Sequence, residues 1–203
     1  MSKTTAIGAK DVKRLRDLTG AGMMDCKKAL TETGGDVDKA IDLLRARGAA
    51  KAARRSEQSA NEGVVGSYVH FDGKTAVIVE VNCETDFVAA TADFKALAKD
   101  LAMHIASAAP LAVSSSDVDQ DVVARERAIY LEQVKEEGKP AHIAEKIVEG
   151  RMQKFFKESA LLAQPFVKDP DKTIEQLITE VSSKTGEKIE VARFARFKVG
   201  ERL

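Results

Sequence analysis

The sequence predicts an α+β fold: an N-terminal three-helix unit, then an antiparallel three-stranded sheet backed by helices. Three observations carry this reading. The first fifty residues hold three short amphipathic stripes separated by glycines. From Gly63 the texture turns β-branched around an Asp72-Gly73 pair, which signals a hairpin. After a long helical stretch, the strand-like run KIEVARFARFKVG closes the chain and supplies a third strand. The order β-β-α-α-α-α-β places the helices between the second and third strands, on the sheet. Three domains follow: a three-helix domain over 1–50, a helical linker over 51–60 and an α+β core over 61–203.

Val12, Leu15 and Leu18 keep helical spacing, and TGAG then breaks the pattern. Met23, Cys26 and Leu30 mark a second stripe that stops at Gly34-Gly35. Asp36 suits the N-cap of a third helix with Val37, Ala40, Ile41 and Leu44 on one face, ending at Gly48. Such a bundle resembles the ubiquitin-associated (UBA) type of three-helix domain, which docks on other proteins. AAKAARRSEQSA has almost no large apolar side chain, so its basic cluster (Lys51, Arg54, Arg55) reads as a solvated face rather than an RNA site. In the hairpin, a two-residue type I′ turn puts Tyr68 opposite Val77 and His70 opposite Thr75.

Phe94, Leu97, Ala98, Leu101, Ile105 and Ala108 form a full apolar stripe, closed by Pro110. The next helix carries Val122, Ile129, Tyr130 and Val134. Pro140 fits the first turn of another, carrying Ile143, Ile147, Val148, Met152, Phe155 and Phe156, with a kink or break expected at Gly150. LLAQPFVKDP reads as a connector. Ile174, Leu177, Ile178 and Val181 make the last helix, ending near Gly186.

The chain has 203 residues, with 32 basic and 32 acidic side chains and so zero net charge. That balance argues against direct nucleic-acid binding or attachment to an anionic membrane. Two cysteines, Cys26 and Cys83, form no CxxC pair, which disfavours a disulfide framework or a thiolate metal site. The first residues show no apolar signal region, and no run reaches the roughly 18 apolar residues a membrane span needs. A cytoplasmic protein is expected.

Motifs for chemistry are missing from the sequence. There is no Gly-x4-Gly-Lys-Ser/Thr loop, no GxGxxG after a strand and no GxSxG elbow. His70, His104 and His142 are too far apart for a ligand signature. The acids fall at polar helical positions. No catalytic residue, no metal ligand and no enzymatic activity are expected.

Two stretches stand out instead. GAGMMD sets Met23 beside Met24, and neighbours on a helix point about 100° apart. Either one methionine is at a contact, or both fit a broad core face. ETDFVA sets Phe87 beside Asp86 where a strand meets a helix. Either Thr85 or Asp86 caps a helix with Phe87 stapled to it, or Phe87 is an anchor held out for a partner.

LRDLTGAGMMDCKKAL and EVNCETDFVA resemble the bacterial translation elongation factor Ts family, the guanine-nucleotide exchange factors of EF-Tu. AEKIVEGRMQKFF, QPFVKDP and RFARFKVGE extend the likeness in order along the chain. The resemblance implies a UBA-like N-terminal domain, a core, and no catalysis of its own. It implies a partner, EF-Tu, that itself holds GDP or GTP and Mg2+, so this chain needs no cofactor. In the TDFV motif (Thr85, Asp86, Phe87, Val88), the aromatic wedges between helices of the GTPase near its magnesium. The matching N-terminal contacts are Arg16, Met23 and Met24. GSYVH contributes His70, and KTGE contributes Thr185 and Gly186.

In longer relatives the TDFV and GSYxH strands lie in different core halves, whereas here one run carries both. The resemblance therefore implies the short form, a homodimer with sheets side by side. It further implies loss of the long form's coiled coil between the last helices. Ala195 in RFARF rules out the intersubunit disulfide some short forms carry there. The alternative function is a protein-binding or chaperone-like module without exchange activity.

Overall fold

The computed structural model describes residues 7–201, apart from Ser56 and Lys139 and the side chains at 51–53 and 141. The expected N-terminal segment and Lys51 side chain thus fall largely outside the described residues. The chain divides into two compact units. The first comprises Met1–Gly63, Asn82–Phe94 and Ile178–Glu190; the second comprises Val64–Val81, Lys95–Leu177 and Val191–Leu203.

In the first unit, α1 (Ala9–Thr19), α2 (Met23–Glu32) and α3 (Val37–Arg54) close around Val12, Leu15, Cys26, Ala29, Leu30 and Ala40. Gly20 ends α1 in the left-handed region at φ 67°, and its N–H donates to the Arg16 carbonyl at 2.7 Å. Asp36 starts α3 as expected, its carboxylate accepting from the Lys39 N–H at 3.1 Å. Gly48 does not end that helix, which runs on to Arg54. Its missing side chain serves a close approach: a Cβ there would lie 2.6 Å from Ser183 Oγ. Arg55, expected as a solvated base, instead pairs with Glu84 at 3.0 Å.

The sheet has the order β1-β2-β5, antiparallel, formed by β1 (Glu62–Val69), β2 (Thr75–Cys83) and β5 (Ile189–Lys198). Period-two patterning builds it: Val77, Val79 and Val81 are buried while Ile78 between them is 51% exposed. The expected pairing of His70 with Thr75 is present, the His70 N–H donating to the Thr75 carbonyl at 2.8 Å. The turn is different. Gly73 N–H donates to the His70 carbonyl at 2.8 Å, so Phe71 and Asp72 are the central residues. A type I′ turn over Asp72-Gly73 needs positive φ at both, and only Gly73 (69°) has it. The Asp72 carboxylate accepts from Lys74 N–H at 2.9 Å and stabilises the wider loop.

After the single turn α4 (Asp86–Ala89), the long helix α5 (Ala92–Ala108) buries Phe94, Leu97, Ala98, Leu101, Ala102 and Ile105. β1 crosses it closely at Gly66, where a Cβ would sit 2.6 Å from the Ala98 carbonyl oxygen. Backbone cannot yield cheaply there. Gly66→Ala is therefore expected to cost about 1–3 kcal/mol, read as a lowered denaturant midpoint. An unchanged midpoint would show that strand and helix separate freely.

α6 (Gln120–Glu136) and α7 (Ala141–Ser159) form a helical hairpin with its own core of Val134, Ala144, Val148 and Met152. A paired-helix element is thus present, contrary to the expected loss of a coiled coil. Nor does Gly150 break α7: open space surrounds it, and one glycine costs a helix only about 1 kcal/mol. LLAQPFVKDP is more than a connector. It holds a 3-10 turn at Leu161–Ala163 and most of a small antiparallel pair, β3 (Pro165–Phe166) and β4 (Asp169–Thr173). Buried Leu161, Gln164 and Phe166 anchor it. α8 (Ile174–Thr185) then leads through Gly186 (φ 76°) into β5.

Candidate partner-binding surface

β2 ends at Cys83, and two residues later the chain must turn into α4. A side-chain clasp makes that corner. Glu187, at the start of the return to β5, accepts from the N–H groups of Glu84 (3.1 Å) and Thr85 (3.0 Å) through Oε2. Its Oε1 accepts from the Thr85 hydroxyl at 2.6 Å. Glu84 reciprocates: its Oε1 accepts from Lys188 N–H at 2.6 Å and from the Arg55 guanidinium at 3.0 Å. The Cys83 thiol donates to the Thr85 carbonyl at 3.1 Å. Burial pushes that thiol's pKa up, and the Glu187 charge adds to the effect.

Thr85 also caps α4, its hydroxyl accepting from Val88 N–H at 3.4 Å. The capped-helix reading of ETDFVA holds in part. The helix is capped, by Thr85 rather than Asp86. Phe87 is not stapled to it: the ring is 81% exposed. Val88 and Ala89 turn inward, while Asp86 and Phe87 face outward. Among the TDFV residues, then, Asp86 and Phe87 offer surface, and Thr85 and Val88 hold them.

The same unit carries most of the other named residues. Met23 and Met24 open α2 and are 49% and 63% exposed, because Cys26, Ala29 and Leu30 fill its core face. The broad-core alternative does not hold. Arg16 is exposed. Leu18, placed by spacing on the core stripe, is 60% exposed, since α1 stops at Gly20 once Val12 and Leu15 have closed the core. Beyond Gly20 lies the stem of Lys184: a Cβ on that glycine would sit 2.2 Å from Lys184 Cε. Thr185 spends its hydroxyl on the Val181 carbonyl (3.0 Å), and Gly186 supplies the positive φ that ends α8.

His70 belongs to the second unit. Its Nδ1 shares a 3.1 Å hydrogen bond with the Tyr68 hydroxyl, and its ring lies 4.4 Å from that of Phe71, centroid to centroid. Phe71 is 92% exposed. Sequence reasoning missed Phe71, Leu18, Glu84 and Glu187. The signals were present in part: KTGE drew attention to Thr185 and Gly186, but not to the acid that follows them. Among the described residues no cluster of three His, Cys, Asp or Glu side chains could hold a metal ion.

The family described as "Elongation factor TS" matches residues 5–201. The chain belongs to the elongation factor Ts family. Elongation factor Ts of Syntrophobacter fumaroxidans is 55% identical over 97% of this chain and 98% of its own length. Elongation factor Ts of Geotalea uraniireducens is 55% identical over 98% of this chain and 92% of its own. Elongation factor Ts of Thermosipho melanesiensis is 53% identical over 96% of this chain and all of its own. The elongation factor Ts match reaches into both compact units and takes in every site residue named above. Among the described residues, no helix is long and apolar enough to cross a membrane.

Proposed function

We propose that this chain is a guanine-nucleotide exchange factor for the translational GTPase EF-Tu. The supporting observation is Phe87, a large apolar ring 81% exposed on a corner that side chains clamp. Exchange is linkage: the factor must bind the nucleotide-free GTPase more tightly than the loaded one. Phe87 enters between helices of the GTPase near its Mg2+ and phosphate site, with Asp86 beside it. The nucleotide and the metal stay on the partner. This chain does no bond chemistry and needs no cofactor.

A fully buried Phe side chain supplies ~1.5–3 kcal/mol, which is ~10- to 150-fold in an equilibrium. Larger effects need further contacts. Exposed Met23 and Met24, with Arg16, fit an adaptable docking face for the three-helix UBA-like domain (1–50). His70, and the Thr185-Gly186 turn, are proposed as further contacts from the core domain (61–203), beyond the linker at 51–60. The chain works in the cytoplasm, away from nucleic acid and membrane. It pairs as a homodimer, a reading that fits Val65, Val69, Ile78 and Phe197 exposed on the strands. A mass in solution of about 44 kDa, twice 22.0 kDa, is expected; 22 kDa would remove the dimer.

The test is release of labelled GDP from EF-Tu with and without this chain. Faster release is expected. Binding that leaves the GDP off-rate unchanged would replace exchange by a non-exchanging, chaperone-like binding module.

A further inference from the structure

We propose that Glu187 is a positioning residue for nucleotide exchange, fixing the angle at which Phe87 is displayed. The proposal rests on the exchange reading above and deepens it. Phe87 has no packing of its own to hold it, since its ring is 81% exposed. What fixes its backbone is the corner before it. Glu187 takes both N–H groups of Glu84 and Thr85 and the Thr85 hydroxyl, and Glu84 takes the N–H of Lys188 in return. Two chain segments 103 residues apart thereby hold each other by reciprocal carboxylates. Carboxylates accepting backbone N–H groups make strong, directional bonds.

The segment that carries Glu187 also meets the three-helix region. Lys184 lies against Gly20, and Ser183 against Gly48, at distances that leave no room for a Cβ. The run Ser183–Lys188 therefore contacts the end of α1 at Gly20, just before Met23 and Met24 open α2, the α3 helix at Gly48, and the corner bearing Phe87. It acts as a bracket that sets one anchor relative to the other within the first unit. A wedge pre-set in its bound geometry loses less on insertion than one that must be ordered then.

The experiment compares Glu187→Ala, Glu187→Gln and Glu187→Asp in the full chain. Gln retains an oxygen for the two N–H groups and an amide for the Thr85 oxygen. Asp keeps the charge but falls one methylene short. The maximal rate of GDP release at saturating factor is expected to fall roughly tenfold for Glu187→Ala. Glu187→Gln should stay within about twofold of wild type, with Glu187→Asp between them. Affinity for EF-Tu should change less than the maximal rate, because Met23 and Met24 remain in place. In a Phe87→Ala background, Glu187→Ala should add nothing, since it acts through the ring. Additive losses in that background, or full activity of a folded Glu187→Ala, would overturn the proposal.

Amide hydrogen exchange over 83–90 gives a readout independent of the partner. Faster exchange is expected in Glu187→Ala and not in Glu187→Gln, and equal exchange in both overturns the clasp. Failure of wild type to release GDP would instead sink the exchange reading, while the amide measurement still decides the clasp. If Glu187→Ala does not fold, the ordering of Gln above Asp carries the same decision.

Discussion

Phe87→Ala is expected to cut the acceleration of GDP release from EF-Tu by roughly 10- to 150-fold while leaving the fold intact. The magnitude is the transfer energy of one buried aromatic, ~1.5–3 kcal/mol, lost from the nucleotide-free complex. The fold should survive because the ring is 81% exposed and caps nothing. Removing such a surface side chain changes stability by about 0.5 kcal/mol or less. Stopped-flow release of a fluorescent GDP, with a thermal melt of the free factor, checks both halves. Wild-type acceleration from the variant would remove Phe87 from the mechanism. A large drop in melting temperature would show that it belongs to this chain's own core.

The second large effect lies in the other unit. His104 is wholly buried on α5, and Gln164 is 4% exposed. Val167 N–H donates to His104 Nδ1 at 3.4 Å, so the ring's proton sits on Nε2 and is donated to Gln164 Oε1 at 2.9 Å. The Gln164 amide donates in turn to the carbonyls of Glu158 (2.6 Å) and Ala108 (3.5 Å). Gln164→Ala strands these groups in the interior, each at about 1–3 kcal/mol. A total near 3 kcal/mol is expected, about 10 °C in Tm for a chain of this size. A loss below about 1 kcal/mol would mean that water or rearrangement replaces the glutamine.

The same network sets a pH dependence. Burial holds the His104 pKa below its usual 6.5, outweighing the opposing Gln164 hydrogen bond. The native ring is neutral, whereas the unfolded chain takes up a proton near pH 6.5. The stability contributed is therefore complete above pH 6.5 and is lost as pH falls from there through the lower folded pKa. Urea midpoints should fall between pH 7.5 and 5.5. Midpoints independent of pH over that range would contradict a buried neutral His104.

Where a feature depends on local pattern, it was legible. The Phe94 to Ala108 stripe became α5, and the β-branched runs became the sheet, because one face of each is buried and the spacing records it. Glycines misled in both directions. Gly48 and Gly150 read as breaks, yet both lie inside helices, the first for a close approach to Ser183. The hairpin register (His70 with Thr75) matches the sequence reading, but the turn centres on Phe71-Asp72 and is not type I′, since dipeptide preference does not see the Asp72 carboxylate bonding Lys74. In ETDFVA, residue chemistry alone favours a capped helix over a displayed aromatic. Only the long-range bonds from Glu187 show how a capped helix start leaves Phe87 exposed on a fixed corner. No local window contains a partner 102 residues away.

That separation has a consequence for assembly. The α6–α7 hairpin is made of neighbours in sequence, so its closure is cheap and early. β2 must wait for β5, and the Phe87 corner must wait for Glu187, a partner made 102 residues after Thr85. Until then the edge of β2 is bare and Phe87 swings on an unfastened corner. A chain in which Glu187 is not yet in place would carry the aromatic without its fixed angle. The angle at which Phe87 is displayed is therefore fixed only once Glu187 is in place, well after the aromatic itself is made.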